Sequence, residues 1–321
     1  MISFHFVLEA LFGLGTNTSI PGLFVALCIA MAFSLGRLKR PRSIRPAVLR
    51  RAIIPKRVFA SSSGRADMAF TIFNLFLYGM LFGWAGVSSS TVAHLVSSSL
   101  GDAQPPAWPL WAIVTASTVT LYLSYELGYW VYHWLSHRIE FLWRFHAVHH
   151  SAESLSPLTN FRVHPVDTIV FGNALALFNG LASAMLARAF GSAHGLTIGG
   201  TNVLVLTAFL LLGTLQHSHF WMSFRGIWGR LFLSPAHHQI HHSVDPAHFN
   251  RNLGSTLAVW DWLFGTLVIP ERRRQKLTFG VTGYEAPHTF KGAVVDPFVH
   301  AADSLSARAS PEGVGAFGTS R

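Results

Sequence analysis

Between Asp67 and Asp102 the chain carries no Asp, Glu, Lys or Arg. About 20 mostly apolar residues cross the ~30 Å hydrocarbon core of a bilayer, so a stretch of this kind confines the fold to one that hides it in lipid. Such runs cover Ser19–Gly36, about Met68–Leu95, about Ala107–Tyr132, about Val166–Leu186 and about Leu196–Gln216. The last two are joined by a short link holding Arg188, Gly191 and Gly195, which reads as a membrane hairpin. Residues of the AVILMFWYC set make up 50% of the 321 and charged ones only 12%, about half the usual charged share of a soluble domain. The expected fold is an all-α, polytopic membrane bundle of about five spans.

The charge is placed unevenly. Ten of the 24 basic residues lie between Arg37 and Arg65 with no acid among them, and the bias of Lys and Arg toward cytoplasmic loops puts this segment inside. Threading onward leaves 96–106 and 187–195 outside, with Arg188 as their only basic residue. The carboxyl-terminal tail is then cytoplasmic, as expected of a bacterial inner-membrane protein. Basic stretches alternating with apolar runs do not make the polar basic surface of a nucleic-acid binder, so no nucleic-acid partner is expected. The positive charge follows the first apolar run instead of preceding it, so that run is expected to be retained and not cleaved as a signal peptide. The expected domains are 1–67, a first span and basic cytoplasmic loop; 68–275, the catalytic membrane domain; and 276–321, a flexible tail rich in small and polar residues.

The chain has 18 histidines against 14 acids, and one cysteine, Cys28, in an apolar run. An intramolecular disulfide and thiolate metal sites are excluded. His133 and His137 are four apart at the cytoplasmic end of the third run, so on a helix both rings leave one face. The stretch FHAVHHSAE supplies His146, His149 and His150, and SPAHHQIHHS repeats the spacing with His238, His241 and His242. QHSH adds His217 and His219. Adjacent histidines such as His149 and His150 are able to diverge toward different metals. These ten imidazoles, all on one membrane side, are enough for two metal ions, and imidazole suits zinc, copper, iron and nickel. No His is followed by Glu, which leaves a zinc hydrolase of the HExxH type without its base. A metal transporter or metal-binding protein is the other alternative, although its ligands belong near the midplane and these clusters sit at span ends.

HxxxH (His133, His137) followed by two HxxHH boxes (His146, His149, His150; His238, His241, His242) closely resembles the integral-membrane fatty acid hydroxylase and sterol desaturase superfamily. The likeness extends to NFRVHP, with Asn160, Arg162 and His164, and to NLGSTLAVWDWLFGT from Asn252 to Thr266, and covers roughly 68–275. It implies a non-haem centre of two iron ions, with zinc replacing them on overexpression, that uses dioxygen to hydroxylate or desaturate a C–H bond of a lipid. No catalytic residue is implied beyond the metal ligands. Members often carry a longer-spaced histidine pair or HxN where this chain reads His217-Ser218-His219; both histidines stand as ligands, and His237 falls outside the matching register. Electrons must come from a separate ferredoxin, or from a cytochrome with its reductase, since no GxGxxG fingerprint or iron–sulfur cysteine set is present.

Five further residues are expected around the ligands. Glu126, costly inside a span unless partnered, can fix the tautomer of a ligand imidazole or serve a structural ion pair. Asp261 is read in the same way. Arg162 is expected to order the loop leading back to the membrane, His164 to lie outside the ligands or be structural, and Asn160 shares their segment. Trp221, Trp228, Trp260 and Trp262 are read as anchors at the membrane interface.

Overall fold

The computed structural model describes residues 20–36, 50, 54–101, 103–281 and 289–309, and it is mostly helical. Most of the basic loop, 37–49 and 51–53, lies outside the described residues, as do 282–288 and 310–321 of the tail. The first apolar run is helix α1 (Ile20–Gly36). After a single turn, α2 (Lys56–Phe59), the second run is not one rod. It forms α3 (Ser62–Ala85) and α4 (Ser89–Leu100), because Ser88 turns its hydroxyl onto the Thr91 amide and starts a new helix after Gly86.

The third run begins after Pro109 and continues without a break as α5 (Leu110–Arg138). Its 29 residues reach about 44 Å at 1.5 Å per residue, longer than a hydrocarbon core. Its last two turns carry His133 and His137. A short helix, α6 (Glu140–His150), follows at once and holds the whole second box. The chain then passes through a 3-10 turn, Pro157–Phe161, into α7 (Pro165–Phe190). Pro165 starts this helix with its amide-free nitrogen, His164 caps the Val166 amide, and Gly191 ends it at φ 79°, as left-handed C-caps do.

The fifth run is interrupted. Gly199 and Gly200, at φ 56° and 77°, make a tight hairpin between β1 (Thr197–Ile198) and β2 (Thr201–Asn202), and only nine residues, α8 (Val203–Leu211), remain helical before a 3-10 turn. Among the described residues one helix, Pro165–Phe190, is by length and composition alone long and apolar enough to cross a membrane; Pro21–Phe33 and Val203–Leu215 are shorter apolar segments. A cap of short helices at the histidine-bearing end of the bundle adds α9 (Gly226–Leu231), α10 (Pro235–His241) and α11 (Val259–Leu263).

The close packing of α4 on α7 needs Gly180, where a Cβ would fall 2.4 Å from the Val92 side chain. Small residues let apolar helices approach this way when there is no hydrophobic drive between them and lipid. Residues 290–309, expected to be mobile, instead form helix α12 (Phe290–Ala309). Its apolar residues recur at helical spacing: Phe290, Ala293 and Val294 close over Phe70 and Val148, and Phe298 meets Phe145 and His164 edge-on. The composition of the extreme tail hid this stripe.

One buried ion pair fastens the cap to the bundle. Arg162, fully buried, pairs with Asp67 of α3 at 3.2 Å and donates to the Val148 carbonyl and the Ser151 hydroxyl at the end of α6. Removing one partner of a buried pair typically costs about 3–5 kcal/mol because the other is left uncompensated. Arg162→Met and Asp67→Asn are each expected to lower the melting temperature of detergent-purified protein, and the double variant to lose less than their sum. A single variant melting like the wild type would contradict this role.

Candidate metal centre

Nine of the ten expected imidazoles are brought together, in two groups. His133, His137, His146, His150 and His241 form one; His149, His217, His238 and His242 form the other, with the ligand atoms within each group no more than 4.8 Å apart. Neighbours in sequence separate: His149 and His150, and likewise His241 and His242, face different groups. This follows from the 100° step between adjacent helical residues, which aims the i and i+1 rings at different centres while i+3 and i+4 overlap.

His219 is the exception. Its ring lies on Phe220, centroids 4.2 Å apart, and it belongs to neither group, so of the pair at the end of the fifth run only His217 reaches the centre. His237 also stays outside: its Nδ1 accepts from the Ser234 amide and approaches the Ser234 hydroxyl at 2.8 Å, closing the first turn of α10.

In the four-histidine group, Nε2 of His217 lies 3.0 Å from His149, 3.0 Å from His242 and 2.8 Å from His238, and His238 and His242 are 3.1 Å apart. Each neutral imidazole has one N–H, so so tight a cluster of Nε2 atoms cannot be satisfied by protons alone. The Nδ1 atoms of His217, His238 and His242 are buried and make no hydrogen bond among the described residues. Leaving the converging Nε2 lone pairs unmet costs about 1–3 kcal/mol for each buried group; a cation shared by the four Nε2 atoms removes that cost there, with the single proton of each ring left on Nδ1. The donor set fits a metal ion.

The five-histidine group is held from behind. His133 Nδ1–H donates to the Leu253 carbonyl at 2.7 Å, His241 Nδ1–H to the Arg251 carbonyl at 2.9 Å, and His146 Nδ1 meets the Asp167 carboxylate at 3.0 Å. A carbonyl only accepts, so the proton of His133 and His241 sits on Nδ1 and Nε2 keeps its lone pair, the form a metal needs. Asp167 also accepts from the Tyr132 hydroxyl at 2.5 Å. Sequence reasoning missed Asp167. The available signal was a lone acid in the first turn of an otherwise acid-free apolar run, two residues after His-Pro.

The other expected supports act at one remove or not at all on the ligands. Glu126 touches no imidazole; it accepts from the Thr256 and Leu257 amides, each at 3.0 Å. Asp261 accepts from the Leu253 and Gly254 amides, each at 2.8 Å, and so fixes the peptide that receives the His133 proton. Arg162 braces the end of the box helix α6. His164 caps α7 and meets the Val294 carbonyl at 3.0 Å, and Asn160 donates to the Pro157 carbonyl in its own turn at 3.2 Å. Of the four tryptophans, Trp221 is buried and donates to the Glu271 carbonyl, Trp260 is half-buried, and Trp228 and Trp262 are exposed.

Burial first, and the neighbouring imidazoles after it, push His149 down to about 3, and burial likewise pushes His241 to about 3. Both are neutral at physiological pH, ready to ligate.

Residues 118–266, which span all nine grouped imidazoles, match the family model described as fatty acid hydroxylase. Ornithine lipid hydroxylase OlsE of Rhizobium tropici is 32% identical over 209 residues, 65% of this chain and 57% of that protein. Alkylglycerol monooxygenase of Danio rerio is 26% identical over 55% of this chain and 33% of its own, and that of Homo sapiens 27% over 50% and 32%. The chain thus matches little more than half the length of the first of these relatives and about a third of the others. No solved structure matches it.

In a metal titration, His217→Ala is expected to abolish binding to one of two sites and His219→Ala to leave both; the reverse pattern would overturn the assignment. For the metal-free protein the sign of the pH dependence follows from the lowered values. An unfolded imidazole titrates near 6.5, so between about 3 and about 6.5 the unfolded chain binds more protons than the folded one, and stability falls as the pH drops through that window. The metal-free melting temperature should therefore fall between about pH 7 and about pH 5, with a shallower slope in His149→Gln or His241→Gln; a slope unchanged in both would contradict it.

Proposed function

We propose that this chain, whose residues 118–266 match the fatty acid hydroxylase family model, is a multi-pass membrane oxygenase that hydroxylates a C–H bond of a lipid. The observation that carries this reading is the sorting of nine imidazoles from three boxes and one hairpin end into a group of five and a group of four. Two iron ions held there would supply the reduction of dioxygen and the attack on an unactivated C–H bond, with zinc taking their place on overexpression. The balanced reaction joins R–H, dioxygen, two electrons and two protons to give R–OH and water. The electrons come from a separate ferredoxin, or a cytochrome and its reductase.

The protein's own part is positioning and exclusion of water. Leu253, Arg251 and Asp167 hold three imidazoles in the lone-pair-inward tautomer, while Asp261 and Arg162 hold the peptides and the helix that carry them. Water is kept out by burial of every grouped imidazole except the half-buried His137. A membrane setting is supported by apolar side chains that face outward on the long helices, such as Leu110 and Trp111 on α5 and Leu177 and Met185 on α7. About five spans, with the histidine boxes and carboxyl terminus on the cytoplasmic side of a bacterial inner membrane, accord with the basic loop after α1. The relatives' names make an ornithine lipid and an alkylglycerol the first substrates to test.

The test is mass spectrometry of lipids from cells expressing the wild type or His149→Ala under heavy-isotope dioxygen. A lipid that gains one labelled oxygen only with the wild type is expected. An unlabelled product short of two hydrogens would replace hydroxylation by desaturation. No difference in a native host with its electron donors present would refute the oxygenase reading.

A further inference from the structure

Outside the metal centre the most conspicuous unexplained feature is an apolar face on the cap itself. Ile227 and Trp228 of α9, with Trp262, Leu263 and Phe264 at the end of α11, are each between 54% and 62% exposed. None belongs to an apolar run long enough to span. The two short helices form one unit: Leu233 N–H donates to the Thr256 carbonyl, Ala258 N–H to the Leu231 carbonyl, and Phe232 and Leu257 pair as an antiparallel bridge.

Where this unit sits is decided by α5. Glu126 takes the Thr256 and Leu257 amides, and one turn later Trp130 donates to Asp261 at 3.2 Å and stacks on Phe264 with centroids 4.4 Å apart. Both attachment points lie within the apolar run Ala107–Tyr132. Farther along the same helix Trp134 stacks on Trp130, and the Arg138 guanidinium lies 5.9 Å over the Trp134 ring. Arg138 is exposed and stands about 12 Å beyond Trp130 at 1.5 Å per residue. The unit is therefore hung from the end of the span, inward of the first cation on that helix. Apolar side chains held at that level meet lipid. Exposed Arg225 and Arg230 flank Trp228, as cations reaching for headgroups flank interfacial tryptophan.

We propose that the α9–α11 unit is a monotopic platform that rests in the headgroup and upper acyl region of the cytoplasmic leaflet, with Ile227, Trp228, Trp262, Leu263 and Phe264 as its lipid-facing surface. The platform sets the depth of the metal centre, because Asp261 on it fixes the Leu253 peptide that receives the His133 proton. This rests on the membrane reading above and adds to it a second kind of lipid contact, made by the cap and not by a span.

The chain has one cysteine, so Cys28→Ser gives a background for single nitroxide labels. Labels at Ile227→Cys and Leu263→Cys are compared with Leu123→Cys on the outer face of α5 and with Arg273→Cys, in the metal-loaded full chain reconstituted into phosphatidylethanolamine and phosphatidylglycerol vesicles. Expected are several-fold slower collisions with a water-soluble nickel chelate at 227 and 263 than at 273, and faster collisions with oxygen, with metal content unchanged. If 123 is lipid-exposed while 227 and 263 behave like 273, the platform is refuted and the membrane reading stands; if 123 also behaves like 273, the membrane reading itself fails. Spin–spin broadening at 227 and 263 that disappears on dilution with unlabelled protein would instead make this face a contact between two copies, and would equally overturn the proposal. Two labels on two helices guard against one that perturbs folding.

Discussion

Nine imidazoles turned toward each other in a buried space are unstable as they stand. Their ring nitrogens approach within hydrogen-bonding distance, yet there are too few protons and acceptors to satisfy them, and burial holds His149 and His241 neutral. A cation at each centre resolves the conflict, and the remaining architecture can be read as what brings those nitrogens to one place. α5 runs 29 residues without a break and carries His133 and His137 in its last two turns. α6 starts immediately, so the second box lies across the first, and the hairpin end and α10 close the set from the other side.

The two groups are supported differently. Three of the five imidazoles in the larger group have Nδ1 engaged by Leu253, Arg251 or Asp167, whereas three of the four in the smaller group have none so engaged among the described residues. A donor-acceptor partner behind an imidazole fixes its tautomer and raises its basicity. The chain thus gives one site a rigid, electron-rich surround and leaves the other to be organised by packing between helices. Arg162 contributes to both, since α6 supplies histidines to each group and Arg162 holds the end of α6.

The histidine boxes were legible because i, i+3 and i+4 on a helix, the spacing chelation asks for, is readable from one sequence. The choice of His217 over His219 was not, since two residues apart at a helix end can point either way and the winner is decided by the 3-10 turn at Gly213–Leu215. Asp167 escaped notice because its partner His146 is 21 residues away and only the crossing of α6 and α7 joins them. Glu126 stands out in the sequence as an acid inside an apolar run, but its partners are the Thr256 hydroxyl and the Thr256 and Leu257 amides, some 130 residues away, which leave no mark in a sequence. The apolar runs were visible, while their breaks at Gly86–Ser88 and at Gly199–Gly200 depend on single capping and turn residues inside otherwise continuous hydrophobicity. The helix Phe290–Ala309 was hidden by the small polar residues that follow it.

If the chain builds two metal sites of unequal composition, counting metals shows it most directly. Protein purified without oxygen and loaded with ferrous iron should hold two ions per chain, falling to one in His238→Ala and to one in His137→Ala, with the remaining ion showing a different spectroscopic signature in each variant. A wild type that binds one ion, or two single variants whose residual ion is the same, would contradict the division into a group of five and a group of four.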